Sequence, residues 1–212
     1  AAISGNLDFR EHGHNIGMEL PPGKYGVEFH YNSADANAED ASGVEVCVRT
    51  SKPQHVAGLS WLGLDNGAES YISGGTMGPW ASGNCFAPSD KWVGTCNPIG
   101  GDKPITLLFV FPHMHEKGLR MTGVINGKNG TKRTLHDAEF NFDSQVIYKV
   151  NDVLQPGETI TTTCTYSEPK CSGQATSAEM CYLYTYAYPK GALADAGFWG
   201  RLAHGDNVCL GQ

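Results

Sequence analysis

Apolar and aromatic runs recur along this chain of 212 residues, each broken by Gly, Pro, Asn or Asp, and no segment sustains a helical period. That pattern constrains the fold more than any other feature. Lys24–Tyr31, Val44–Thr50, Ile105–His113, Leu119–Ile125, Gln145–Val150, Thr159–Tyr166 and Met180–Tyr188 read as strands. Gly127-Lys-Asn-Gly130 reads as a hairpin turn and Gln155-Pro-Gly157 as a tight turn. Many short strands with frequent turns describe an all-β chain, an antiparallel two-sheet sandwich of jelly-roll-like type. The length suits a single domain over residues 1–212, large enough to bury a core without staples. Residues 65–104 stand apart. They are rich in Gly, Ser, Asn and Pro, hold Trp80, Trp92, Cys85 and Cys96, and read as a long stapled loop.

Seven cysteines and no CxxC pair argue for disulfides rather than a zinc ribbon, and for an oxidising compartment, secreted, periplasmic or extracellular. An odd count leaves at least one thiol free, buried or paired to another chain, and Cys47, in a strand, fits an unpaired buried thiol that behaves as a small hydrophobe. The net charge is -7 with Lys and Arg scattered, which argues against a nucleic-acid surface. No apolar stretch is long enough to span a membrane. Asn129-Gly130-Thr131 matches a glycosylation sequon, but Asn-Gly is first a turn signal.

Chemistry concentrates at His113-Met114-His115 and at Met180. Residues i and i+2 of a strand share a face, so both imidazoles reach one ion while Met114 points away. Alone, a paired strand histidine is commonly a surface residue and a strand methionine is commonly core filler. Cys181 beside Met180, and Cys164 in the preceding strand, give a possible disulfide on one face with Met180 projecting from the other. Two imidazoles and a thioether form a mixed N and S donor set that suits copper cycling through Cu(I). Three protein donors leave a position open, as a catalytic metal requires. A blue-copper carrier needs a thiolate ligand, and alternation turns Cys181 away from Met180.

From about Gly17 to Cys209 the chain resembles the C-terminal, catalytic-copper domain of the ascorbate-dependent type II copper monooxygenases, such as dopamine β-monooxygenase and peptidylglycine α-hydroxylating monooxygenase. The matching pieces come in order. They are Val27-Glu-Phe-His-Tyr-Asn32, Ala41-Ser-Gly-Val-Glu-Val46, Ala57-Gly-Leu59 with Leu62-Gly-Leu64, His113-Met-His115, Pro156 to Tyr166, and Glu179-Met-Cys-Tyr-Leu-Tyr184. The resemblance implies a single copper held by His113, His115 and Met180, dioxygen-dependent hydroxylation of an aliphatic C–H, and ascorbate or another one-electron donor. It also implies a Cys164–Cys181 disulfide and a second bridge from Cys209 to Cys85 or Cys96.

The chain departs from that pattern in two places. These 212 residues hold no counterpart of the family's N-terminal domain and no adjacent His-His pair. His30 is therefore a residual ligand awaiting a partner, a member of a reduced second site with His12 or His14, or a plain strand histidine. Tyr184 and Glu179 match family positions on the substrate side, but Phe111 stands where the peptide-amidating enzyme has a carboxylate-clamping arginine. A hydrophobic ring cannot pair with a carboxylate. His55, His136 and His204 stand alone and read as surface or hydrogen-bonded residues, and the tryptophans as packing. Two functions follow. One is an oxidoreductase using O2 and a small-molecule substrate. The alternative is a non-catalytic copper-binding protein that exchanges copper, or electrons, with a partner. A structural sandwich with a vestigial site is a third class.

Overall fold

The computed structural model describes residues 2–4, 7–13, 15–20, 22–26, 39, 41, 43–64, 88–98, 102–171, 177–193 and 207–210. In chain order the strands are β1 (Ala2–Ser4), β2 (Ile16–Met18), β3 (His55–Leu64), β4 (Ser89–Cys96), β5 (Ile105–His113) and β6 (Gly118–Asn126). They continue with β7 (Lys132–Glu139), β8 (Ser144–Val146), β9 (Tyr148–Leu154), β10 (Thr159–Lys170), β11 (Cys181–Tyr188) and β12 (Asn207–Leu210). Among the described residues the other regular pieces are two short 3-10 turns, at Phe9–His12 and Lys128–Gly130.

An antiparallel sheet in the order β4-β10-β6-β7 faces a larger one in the order β12-β3-β11-β5-β9, with β2 added alongside β3. β1 and β8 form a small parallel pair. β10 shows why these residues make strands. Ile160, Thr162, Cys164 and Tyr166 are buried while the threonines between them are half-exposed, the period-2 signature of a sheet with one covered face. β5 differs, being buried along nearly its whole length. Both its faces are covered. Val110 and Leu107 join the main core between the sheets, and Leu108 and Phe109 join a second cluster with Ile16, Ala57 and Phe9. Trp92 and Tyr166 meet edge to face in the main core, with ring centroids 5.0 Å apart.

Cys164 and Cys181 are bridged, with Cα atoms 5.8 Å apart. The bridge joins β10 to β11, which lie in opposite sheets, so it staples the sandwich through its core rather than linking neighbours in one sheet. Cys96 and Cys171 are disulfide-bonded as well. Cys171 had no assigned place in the pairing expected from sequence. The side chains of Cys85 and Cys209 lie outside the described residues, and so does the choice of partner for Cys209.

The structure corrects several expectations. Ser89–Cys96, inside the segment read as a loop, is a core strand that pairs with β10 from Thr95↔Thr161 through Lys91↔Thr165. Val44–Thr50 forms no strand, and Cys47 is free but exposed rather than buried. Lys24–Tyr31 is irregular where described, at 24–26. β3 and β7 are strands that the sequence reading omitted. The turn at 127–130 holds, with Asn129 and Gly130 both at positive φ (63° and 77°). Gly63, at φ 134°, is required by packing too, because a Cβ there would stand 2.0 Å from the Cys181 carbonyl oxygen.

Candidate metal centre

β5 and β11 together build the site. Their antiparallel register sets His113 opposite Tyr182, Phe111 opposite Tyr184 and Phe109 opposite Tyr186. Residues directly opposite share a face, so His113 sits at one end of an aromatic surface on the larger sheet. Phe111 stacks on Tyr184 with centroids 5.8 Å apart, and Trp61 on β3 meets Tyr184 edge-on at 5.3 Å. His113 lies 5.9 Å from Tyr184.

His115 follows β5 by two residues and is buried. The two imidazoles come together as strand alternation requires, their centroids 5.4 Å apart and their planes nearly perpendicular. Met114 between them is fully buried in the main core, pointing the other way. Met180 immediately precedes β11, is half-buried, and its carbonyl accepts the Tyr166 hydroxyl at 2.9 Å.

Each ring is fixed through Nδ1. The His113 Nδ1–H donates to Gln145 Oε1 at 2.9 Å, and the Gln145 amide nitrogen donates to the Phe142 carbonyl at 3.3 Å, which fixes the amide's orientation. The His115 Nδ1–H donates to the Ala178 carbonyl at 3.0 Å. A carbonyl oxygen only accepts, so both Nδ1 atoms carry the proton and both Nε2 atoms hold a lone pair. Among the described residues no hydrogen bond engages either Nε2. Burial pushes the His113 pKa down, with His115 nearby adding to the effect and Gln145 opposing it. The neutral ring is the form that binds a metal.

Glu179 supplies the clamp. Its Oε2 accepts the His115 backbone N–H at 2.8 Å and its Oε1 accepts the Lys117 N–H at 2.7 Å. The side chain is fully buried, so both oxygens serve the backbone framework rather than the open face beside Tyr184. Burial drives its pKa up and outweighs the opposing pull of the His115, Lys117 and Met180 amides and of the His115 ring. The segment bearing Met180 is thus tied to the segment bearing His115 by Glu179 and by the Ala178 carbonyl.

Among the described residues the other histidines do not join this centre. His12 packs edge-on against Phe109 at 4.7 Å, within the second cluster. His55 stacks on Tyr188 at 4.6 Å. His136 is buried against Tyr148, so of the surface and hydrogen-bonded roles expected of it the surface one does not apply. His14, His30 and His204 lie outside the described residues. Among the described residues no three His, Cys, Asp or Glu side chains gather into a metal cluster. Among the described residues two imidazoles meet here, and a pair of imidazoles with a thioether is a donor set that suits copper.

Sequence reasoning missed Gln145 and the Ala178 carbonyl. Neither carries a local signal, since each meets its histidine only through the fold.

Residues 87–195 match the family model described as copper type II ascorbate-dependent monooxygenase, C-terminal domain. The match runs from β4 to just beyond β11 and contains both histidines, Glu179 and Met180. DBH-like monooxygenase protein 1 of Mus musculus is similar at 24% identity over 191 residues, covering 84% of this chain. The chain spans 30% of that relative's length.

Proposed function

The chain belongs to the copper type II ascorbate-dependent monooxygenase family, as its C-terminal domain, and from that premise we propose that His113, His115 and Met180 hold a single copper ion for O2-dependent hydroxylation of an aliphatic C–H bond. The observation that carries this reading is the pair of adjacent imidazoles, each with Nδ1 engaged and Nε2 left as a donor. Copper bound there would supply one-electron redox chemistry and a place for dioxygen, with ascorbate or another one-electron donor restoring the reduced ion.

The chain's own residues do the positioning. Gln145 and the Ala178 carbonyl hold the two tautomers, a supporting role that raises ligand basicity and fixes ring direction. Glu179 sets the spacing between the two ligand-bearing segments. Phe111, Tyr184 and Trp61 offer an aromatic face beside His113 that limits water at the reacting end of a substrate. The charge-bearing clamp needed for a carboxylate substrate is replaced by Phe111, so a neutral reacting group suits this face better. The disulfide-bonded cysteines support an oxidising compartment, secreted or periplasmic.

Copper titration followed by electron paramagnetic resonance tests the ligands. Met180→Ala should weaken Cu(I) binding far more than Cu(II), because the thioether prefers the soft ion. His113→Ala and His115→Ala should impair both states. Equal losses of Cu(I) and Cu(II) in Met180→Ala would remove the methionine from the set. Reductant-dependent O2 uptake by the copper-loaded protein tests turnover. A second reading is copper binding without turnover, for transport, buffering or sensing. Copper hand-off to an acceptor without O2 uptake selects it.

A further inference from the structure

We propose that Tyr182, Tyr184 and Trp61 form a one-electron relay beside the metal centre, which carries oxidising equivalents away from Met180 when no substrate takes them. The proposal rests on the copper reading above and adds a protective activity to it, the reduction of hydrogen peroxide by ascorbate.

The geometry is a closed triangle of rings. Trp61 meets Tyr184 at 5.3 Å and Tyr182 at 5.6 Å, and the two tyrosines lie 6.0 Å apart. All three separations are those of rings in contact. Alternation and register place them together. Tyr182 and Tyr184 share a face of β11, and Trp61 on β3 stands directly opposite Tyr184. His113 adjoins two corners of the triangle, lying 5.9 Å from Tyr184 and opposite Tyr182 in the β5–β11 register. The tyrosines are thus two entry rings, and Trp61 is the station they share. Phenol and indole give up a single electron far more readily than the benzene ring of Phe111, which also stacks on Tyr184. The path from the centre therefore runs to Trp61. Tyr182 is buried, while Trp61 is only half-buried, so a water-borne donor reaches the far end of the relay.

The centre has something to protect. Oxidation turns a methionine into a polar sulfoxide, which removes the soft sulfur donor. Cys181, next to Met180 in sequence, is already held in a disulfide and has no thiol to give up first. Hydrogen peroxide is what two-electron reduction of O2 leaves when no C–H bond is consumed. It accepts two electrons and two protons, its O–O bond breaks, and two waters form. An entry tyrosine gives each electron together with its hydroxyl proton and becomes a phenoxyl radical. Trp61 returns the electron, the phenol regains a proton from solvent, and ascorbate re-reduces Trp61. Two passes consume one ascorbate monoanion, which gives two electrons and one proton and leaves as dehydroascorbate. Solvent gives the second proton, and every ring ends as it began.

The test is peptide mapping of Met180 sulfoxide in copper-loaded protein given hydrogen peroxide and ascorbate without substrate. Trp61→Phe, loaded to the same copper occupancy, should accumulate the sulfoxide several-fold faster than wild type. Trp61→Tyr restores an oxidisable ring and should return the slow rate, which a purely packing role for the indole would not require. Tyr188→Phe removes a tyrosine that stacks on His55 at the other end of β11, and should behave as wild type. The metal-free protein gives an independent measure. After oxidation by photogenerated tris(bipyridine)ruthenium(III), an indole radical should pass to a phenoxyl radical at a rate independent of protein concentration, and Trp61→Phe should diminish that phase. Equal Met180 oxidation in wild type and Trp61→Phe, or a radical-transfer phase unchanged by Trp61→Phe, overturns the relay. A protein that binds no copper removes the copper reading instead, and the metal-free measurement then decides the relay.

Discussion

Glu179→Gln removes one negative charge and converts one of two acceptor atoms into a donor. The carboxylate now accepts the His115 N–H at 2.8 Å and the Lys117 N–H at 2.7 Å in a fully buried place. The amide keeps one of these bonds through its oxygen. The other backbone N–H then faces an NH2 group, with no water to turn to. A buried donor left without a partner costs about 1–3 kcal/mol, and the surviving bond loses its charge assistance, roughly another 1 kcal/mol. Relief from burying a carboxylate offsets part of this, since burial is what raises the Glu179 pKa. The net expectation is a loss of about 2 kcal/mol of unfolding free energy, read as a lower midpoint of denaturant unfolding. Because the lost bond ties the His115 segment to the Met180 segment, copper affinity should fall by roughly 10–100-fold, the usual size of a supporting-residue effect. Competition against a Cu(I) chelator measures it. A variant that unfolds at the wild-type midpoint and binds copper equally well would refute the clamp.

Gln145→Leu should free the His113 ring to change tautomer, reducing copper affinity by roughly 10-fold with little loss of stability; copper binding unchanged by the substitution would contradict the hydrogen-bond assignment. Replacing Cys164 and Cys181 together by Ala opens a loop of sequence separation 17 and should cost about 3 kcal/mol on the chain-entropy estimate, seen as a lower thermal midpoint. Burial holds the His136 pKa below its ordinary value, with the neighbouring Arg120 adding to the depression and Asp137 opposing it. Its contribution is therefore full above the unfolded value of about 6.5 and is lost as pH falls below it toward the folded pKa. His113 moves in the same direction. Denaturation midpoints of the metal-free protein should drop below that pH, and His136→Leu should flatten the slope. A slope identical to wild type would remove His136 as a cause.

Strand β10 was legible because each of its residues announces its own face, Ile160 inward and Thr161 outward. β4 was not. Its Ser89-Asp-Lys start and Gly94 look like loop, and only pairing with β10 and burial of Trp92 make it a strand. Val44–Thr50 fails in the opposite sense. It has strand composition, yet among the described residues it has no partner, and a strand exists only when paired. The exposure of Cys47 follows from the same cause.

By itself the sequence determined the all-β class, the shared face of His113 and His115, and the inward turn of Met114. Each of these follows from the two-residue period of an extended chain, a local property. Only the tertiary structure decided the rest. It sets Cys164 and Cys181 in opposite sheets and brings Gln145 to His113 Nδ1. It also turns Glu179 onto the His115 and Lys117 amides. These depend on which strands meet across the core and in what register, and no spacing along the chain encodes that.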